Sequence, residues 1–242
     1  MKIFRERDEM VITRVQKYPK FMKYRYTYLM ISIVALFVLA PLFEQRIPLI
    51  MPLLFLGLMI AVLGTLDLRP SILRIMIVFA LIGFCNSMIA RVFQLSPQNA
   101  HNFYVVGLSI ESLFLFTAIT ILIRKIFSEK NITTDTIKGG ISVYFLMGFL
   151  WTYLYSLLLI LDPQALALAK PTFEFSILTY FSFTTLTTLG YGDITPVSWL
   201  ARNLTILEST IGQIYMTVLI ARLVGLHIAG KQLDRRTPVE DK

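Results

Sequence analysis

Thr184-Thr185-Leu186-Thr187-Thr188-Leu189-Gly190-Tyr191-Gly192-Asp193 is a polar, threonine-dense run set between long apolar segments. Small and polar residues at membrane depth need a reason. Irregular backbone is tolerated there only where it is buried in protein or lines a wet cavity. Glycine at alternate positions, 190 and 192, matters because glycine takes positive φ at no steric cost. Such a backbone can aim successive carbonyl oxygens in one direction, and rings of carbonyls can replace the hydration shell of a cation.

The residues just upstream fit that use. Asp162, Pro163 and the Ala/Leu stretch to Lys170 read as an outer loop, and Pro171 precedes an apolar-polar run. From Phe175 to Thr187 is 13 residues; a helix of that length is roughly 20 Å long, too short to cross a bilayer. A re-entrant half-helix, entering and returning on the outer side, is the expected structure. Its C-terminus would point to the membrane centre, where the helix dipole places partial negative charge that favours a cation.

The rest of the chain supplies the membrane. It is 56% hydrophobic and 16% charged, with mean hydropathy +0.68, the composition of a polytopic all-α membrane protein. Six apolar segments stand near the ~20 residues that a spanning helix needs. They lie at about Tyr26–Phe43, Ile47–Leu66, Ile72–Phe93, Phe103–Ile123, Ile141–Leu161 and Trp199–His227. Every second connection is basic, starting from an N-terminal segment with Lys2, Arg5, Arg7, Arg14, Lys17, Lys20, Lys23 and Arg25. Arg69, then Arg124, Lys125, Lys130 and Lys138, then Lys231, Arg235, Arg236 and Lys242 continue the pattern. Positive charge marks the cytoplasmic side, so both termini are expected there. The net charge of +8 sits at segment ends and gives no case for nucleic acid. The polar, basic first ~25 residues argue for no cleavable signal peptide.

The expected organisation is a basic arm over 1–25, four transmembrane helices over 26–123, a cytoplasmic linker over 124–140, a pore domain over 141–227 and a short tail over 228–242. The arm is read either as an interfacial amphipathic helix, able to meet anionic lipid, or as a solvated segment that only sets topology. The single cysteine, Cys85, allows no disulfide within the chain and no zinc or redox motif. No nucleophile arrangement, metal cluster or nucleotide loop is present, so the chain is not read as an enzyme.

The run from Thr184 to Asp193, with Pro196 after it and Gly212 19 residues beyond Asp193, resembles the selectivity filter and inner helix of the potassium-channel family. In that family four Thr-Val-Gly-Tyr-Gly loops coordinate the ion through their carbonyl oxygens. The resemblance is firm from about Ile141 to Gly225 and weaker over the first four segments. It implies a tetrameric pore of six transmembrane helices per chain plus a re-entrant pore helix, in the plasma membrane. It implies potassium ions in the filter and no organic cofactor. It places the coordinating carbonyls at Thr188, Leu189, Gly190 and Tyr191, with the Thr188 hydroxyl, and Gly192 closing the run. Thr184, Thr185 and Thr187 support the filter from the pore helix. Tyr191 braces it from behind, and Asp193 stands at the outer mouth. Leu189 replaces the usual valine; its side chain is expected to point toward the half-helix, where packing absorbs the extra methylene.

Several positions carry two readings. Tyr180 is either the aromatic partner of Asp193 or a ring packed at the water interface. Glu208 either supplies a carboxyl that supports the filter, since the pore-helix position that holds glutamate in some relatives is Thr184 here, or makes a structural hydrogen bond to a Ser or Thr hydroxyl. Gly212 is either the gating hinge or a close-packing site. Gly139 and Gly140 are candidates for uncoupling the linker from the pore. The fourth segment has one charge, Glu111, of the wrong sign for a voltage sensor, and no arginine at every third residue, so little intrinsic voltage dependence is expected. Glu111 is either a proton or ligand sensor or a packing group beside Ser109 and Ser112. Arg91 either pairs with it or snorkels to the interface. Asn131 and Asn203 head accidental glycosylation patterns. The tail after His227 is expected to be too short for a ligand-sensing domain. A potassium transporter and a non-conducting channel subunit are the alternatives to a channel.

Overall fold

The computed structural model describes residues 24–44, 50–66, 68–93, 101–129, 133–168 and 174–236. The side chains of Arg91 and of residues from 227 onward fall outside the description. So do the basic arm over 1–23, the Asn131 pattern, Lys170 and the end of the tail.

Seven helices are described: α1 (Arg25–Phe43), α2 (Ile50–Thr65), α3 (Pro70–Val92), α4 (His101–Ser128), α5 (Thr134–Leu161), α6 (Phe175–Leu186) and α7 (Trp199–Arg236). Two short strands, β1 (Leu166–Ala167) and β2 (Thr195–Pro196), complete the elements. The protein is an all-α, multi-pass membrane protein. α1, α3, α4, α5 and α7 are long and apolar enough to cross a bilayer. α2 has 16 residues, about 24 Å of helix, and is shorter than the span expected there; the expected start at Ile47 lies outside the described residues.

Local sequence explains the ends. Pro70 opens α3, where its missing N–H is no loss. α5 opens on a capping box: the Thr133 hydroxyl accepts from the Thr136 amide at 3.1 Å, and the Thr136 hydroxyl accepts from the Thr133 amide at 3.4 Å. Asp135 in the first turn adds a favourable charge at the positive helix end. α4 runs on to Ser128 and α5 starts at Thr134, so much of the stretch 124–140 is helical.

Helices α1 to α4 pack each on the next, α4 packs on α5, and α5 packs back on α1. α5 also carries α6 and α7. It is the hub of the fold and the most deeply buried of the spanning helices. The first four helices are therefore joined to the rest through α5. Gly139 and Gly140 show why. A Cβ on Gly139 would stand 3.1 Å from the Tyr26 ring of α1, and one on Gly140 would stand 2.9 Å from Leu219 of α7. The pair brings α1 and α7 close to α5, and no break separates it from the helix that follows.

Many large apolar side chains face outward, among them Ile31, Val38 and Leu42 on α1, Ile75 and Val78 on α3, and Ile206, Ile214 and Val224 on α7. An exterior of that kind suits lipid or other protein rather than water. At the end of the bundle that carries the basic connections, charges cap helix ends. Lys125 donates to the Thr65 carbonyl at the end of α2, 2.7 Å away. Arg222 of α7 donates to the carbonyls of Ile126 and Glu129, both at 2.6 Å, and lies 4.9 Å over the Phe127 ring. Cations at helix C-termini satisfy orphan carbonyls and complement the dipole.

Candidate functional site

Helix α6 has 12 residues, about 18 Å, and ends where the threonine run begins to turn. Its C-terminal carbonyls direct the reversal. The Thr187 amide donates to Phe183 O at 3.1 Å, Thr188 to Thr185 O at 2.9 Å, and Gly190 back to Thr184 O at 3.1 Å. The hydroxyls of Thr184 and Thr187 stay on the same helix, donating to Phe181 O at 2.9 Å and Phe183 O at 2.6 Å. Thr185 is half-buried beside them.

Beyond α6 every second residue is left-handed: Thr188 at φ 60°, Gly190 at 51° and Gly192 at 82°. The two glycines sit there without penalty. Thr188 does not, because left-handed backbone is a strained state for a β-branched residue, costing about 1–3 kcal/mol. A strand flips its carbonyls from one face to the other. Alternating the sign of φ removes that flip and turns successive carbonyls to one side, as in the backbone nests that bind ions.

The return path is pinned by the strand pair, with Leu166 opposite Pro196 and Ala167 opposite Thr195. The Val197 amide adds a bond to Ala165 O at 2.8 Å, and Ser198 caps α7 by accepting from the Ala201 amide at 3.1 Å. Tyr180 stacks on Tyr191 with ring centroids 6.3 Å apart and planes 6° from parallel. The Asp193 carboxylate lies beside the Tyr180 phenol. The Leu189 side chain is 56% exposed within one chain.

Glu208 is completely buried. Tyr155 of α5 donates to its Oε2 and Ser182 of α6 to its Oε1, each at 2.6 Å. This is the structural hydrogen-bond reading. The carboxyl joins α5, α6 and α7 and reaches the threonine-glycine turn only through α6. Gly212 lies buried in an unbroken α7, where a Cβ would stand 2.7 Å from the Leu186 carbonyl oxygen. That is close packing against the end of α6. Next to it, the Gln213 amide donates weakly to the Thr188 hydroxyl at 3.5 Å. Tyr144 of α5 donates to Leu186 O at 3.2 Å, and Tyr215 donates to Gly140 O at 2.8 Å.

Glu111 is buried and accepts from Ser87 of α3 at 2.7 Å. Its serine partner is thus across the helix interface, while Ser109 bonds its own Val105 carbonyl at 2.6 Å. Sequence reasoning alone misses Tyr155, Ser182, Gln213 and Arg222. Nothing in their local sequence marks them, because each acts on an element far along the chain. Among the described residues, no group of three or more His, Cys, Asp or Glu could hold a metal ion.

Searches of curated proteins and of solved structures returned no match. The family of two-helix membrane channels described as "Ion channel", which includes potassium channels, matches residues 132–227. That stretch starts at the cap of α5, contains α6 and the turn after it, and ends within α7. Over residues 132–227 the chain is similar to that ion channel family.

Proposed function

We propose that four copies of this chain form a potassium-selective pore through the plasma membrane, with both termini cytoplasmic and α2 completing six spans per chain. The observation that carries it is the alternation of left-handed residues at 188, 190 and 192, directly after a helix too short to cross. The carbonyls of Thr188, Leu189, Gly190 and Tyr191, with the Thr188 hydroxyl, form the ion sites, and Gly192 completes the turn outward. Four such strips replace the water around a potassium ion, which passes in file by knock-on down its gradient. The negative end of each α6 favours the cation below the filter. One chain supplies one strip, and its Leu189 and Tyr191 are both more than half exposed; neighbouring copies would cover them. α7 likewise leaves most of its surface open within one chain.

Voltage dependence is expected to be small. Each gating charge moved across the membrane is worth about 2.3 kcal/mol per 100 mV, and α4 carries Glu111 in place of an arginine array. Anionic lipid at the arm over 1–25 is a further expected partner.

Purified protein in liposomes, loaded with potassium against sodium, tests the reading. Potassium flux that barium blocks, with sodium largely excluded, is the expected result. Flux that saturates like a carrier supports a transporter instead. No flux alone but flux in company with another channel chain supports a regulatory subunit. Equal sodium and potassium flux overturns the filter assignment.

A further inference from the structure

The pore helix takes its N-terminal cap from another part of the chain. The first amides of a helix have no partner within it, and the residue before a helix usually supplies one. In α6 that residue is Glu174, and its side chain makes no capping bond. Glu44, at the outer end of α1, does so instead. Its Oε1 accepts from the Phe175 amide at 2.6 Å and its Oε2 from the Ser176 amide at 2.9 Å, across 131 and 132 positions of sequence. One carboxylate thus binds two successive first-turn amides, at the positive end of the helix dipole, where negative charge is most favourable.

Aromatic contacts also join α6 to α1 and α2. Phe37 of α1 lies edge-on to Phe183 of α6 at 5.0 Å, and Phe55 of α2 lies edge-on to Phe175 at 5.0 Å. At the other end of α6, the Thr184 carbonyl holds the Gly190 amide. A shift of α6 along its axis therefore moves the backbone on which the filter turns.

We propose that Glu44 is a positioning residue for ion selection: it clamps the pore helix to α1, so that the first helices of the chain set the height of the filter. The inference rests on the potassium-pore reading for its functional half. Its structural half, the clamp, stands separately.

Full-length protein carrying Glu44→Ala, Glu44→Gln or Glu44→Asp tests both halves. Hydrogen exchange at the α6 amides reads the clamp. Glu44→Ala should speed exchange at the start of α6 by about fivefold, the loss of roughly one helix cap, with Gln and Asp intermediate. The potassium-to-sodium flux ratio in liposomes reads the consequence. It should fall in the same order, Glu44→Ala lowest. A merely structural loss would cut total flux with the number of intact channels and leave the ratio alone. Asp162→Asn, which alters another carboxylate beyond the end of α5, should change neither readout. Unchanged exchange in Glu44→Ala overturns the clamp. Faster exchange with an unchanged ratio overturns the link to selection. Wild-type protein that passes sodium as readily as potassium overturns the pore reading, and the exchange comparison then still decides the clamp. If Glu44→Ala does not fold, Glu44→Gln serves in both comparisons.

Discussion

The carbonyl oxygen of Leu186 stands 2.7 Å from the place a Cβ on Gly212 would occupy, and the Leu186 Cδ1 is equally close. The last turn of α6 and the middle of α7 therefore touch through a glycine. Gly212→Ala should lower thermal stability by about 1–3 kcal/mol, the usual cost of overpacking, and reduce potassium flux. The sign separates packing from bending. If Gly212 served only as a hinge, alanine would strengthen α7, since it favours a helix over glycine by about 1 kcal/mol. A melting temperature that rises on Gly212→Ala would refute the packing account.

Glu208 predicts coupling among three helices. Removing the Tyr155 or Ser182 hydroxyl leaves a buried carboxylate oxygen short of a donor, so Tyr155→Phe and Ser182→Ala should each cost about 1–3 kcal/mol. The double variant should cost clearly less or more than their sum, since both hydroxyls serve one group. Thermal melting of the four proteins in one detergent measures this. Strict additivity would mean that the carboxyl does not tie α5 and α6 together.

How much of this is legible in the sequence depends on how far each contact reaches. The turn after α6 can be read because Gly190 and Gly192 constrain their own backbone, and the half-helix because its length alone bars it from spanning. The start of α5 is easily misplaced although Thr133 and Thr136 carry a capping signal; Gly139 and Gly140 look like a break, and their true use depends on Tyr26 and Leu219, distant residues whose approach no local pattern reports. Glu44 reads only as part of a turn. Its partners are backbone amides, which have no identity in a sequence. The hydroxyls facing Glu208 are unreadable for a related reason: many Ser and Thr residues are available, and packing of three helices chooses among them. Leu189 is expected to point toward the half-helix, and what one chain leaves exposed of it depends on neighbouring copies that no local pattern reports.

Arg222 predicts an effect on gating without one on selection. Its guanidinium holds two carbonyls at the end of α4, far along α7 from the Gly212 contact. Hydrogen bonds from a charged donor contribute about 1.5–3 kcal/mol. Arg222→Ala should therefore depopulate the docked arrangement of α4 and α7 by tenfold or more, roughly the 1.4 kcal/mol equivalent. Arg222→Lys, which lacks the planar fork, should fall between. Spin labels at Ser128 and Leu226 should move apart in Arg222→Ala, while the potassium-to-sodium ratio stays as in the wild type. A changed ratio with unchanged label distances would assign Arg222 to the filter instead.

Tyr180 offers the sharpest separation of two contacts made by one side chain. Its ring stacks on Tyr191 and its phenol meets Asp193. Tyr180→Phe keeps the stack and removes the phenol contact; Tyr180→Leu removes both. If the phenol steadies the outer mouth, Tyr180→Phe should alter how quickly current declines during sustained conduction and leave selectivity intact, and Asp193→Asn should change the same rate. If the stack braces the filter, Tyr180→Leu should in addition reduce the potassium-to-sodium ratio. Recordings from the three variants in planar bilayers check both statements. A Tyr180→Phe channel whose current declines at the wild-type rate would leave the Asp193 contact without a role in conduction, and the ring alone would then account for the presence of an aromatic residue at this position of the pore helix.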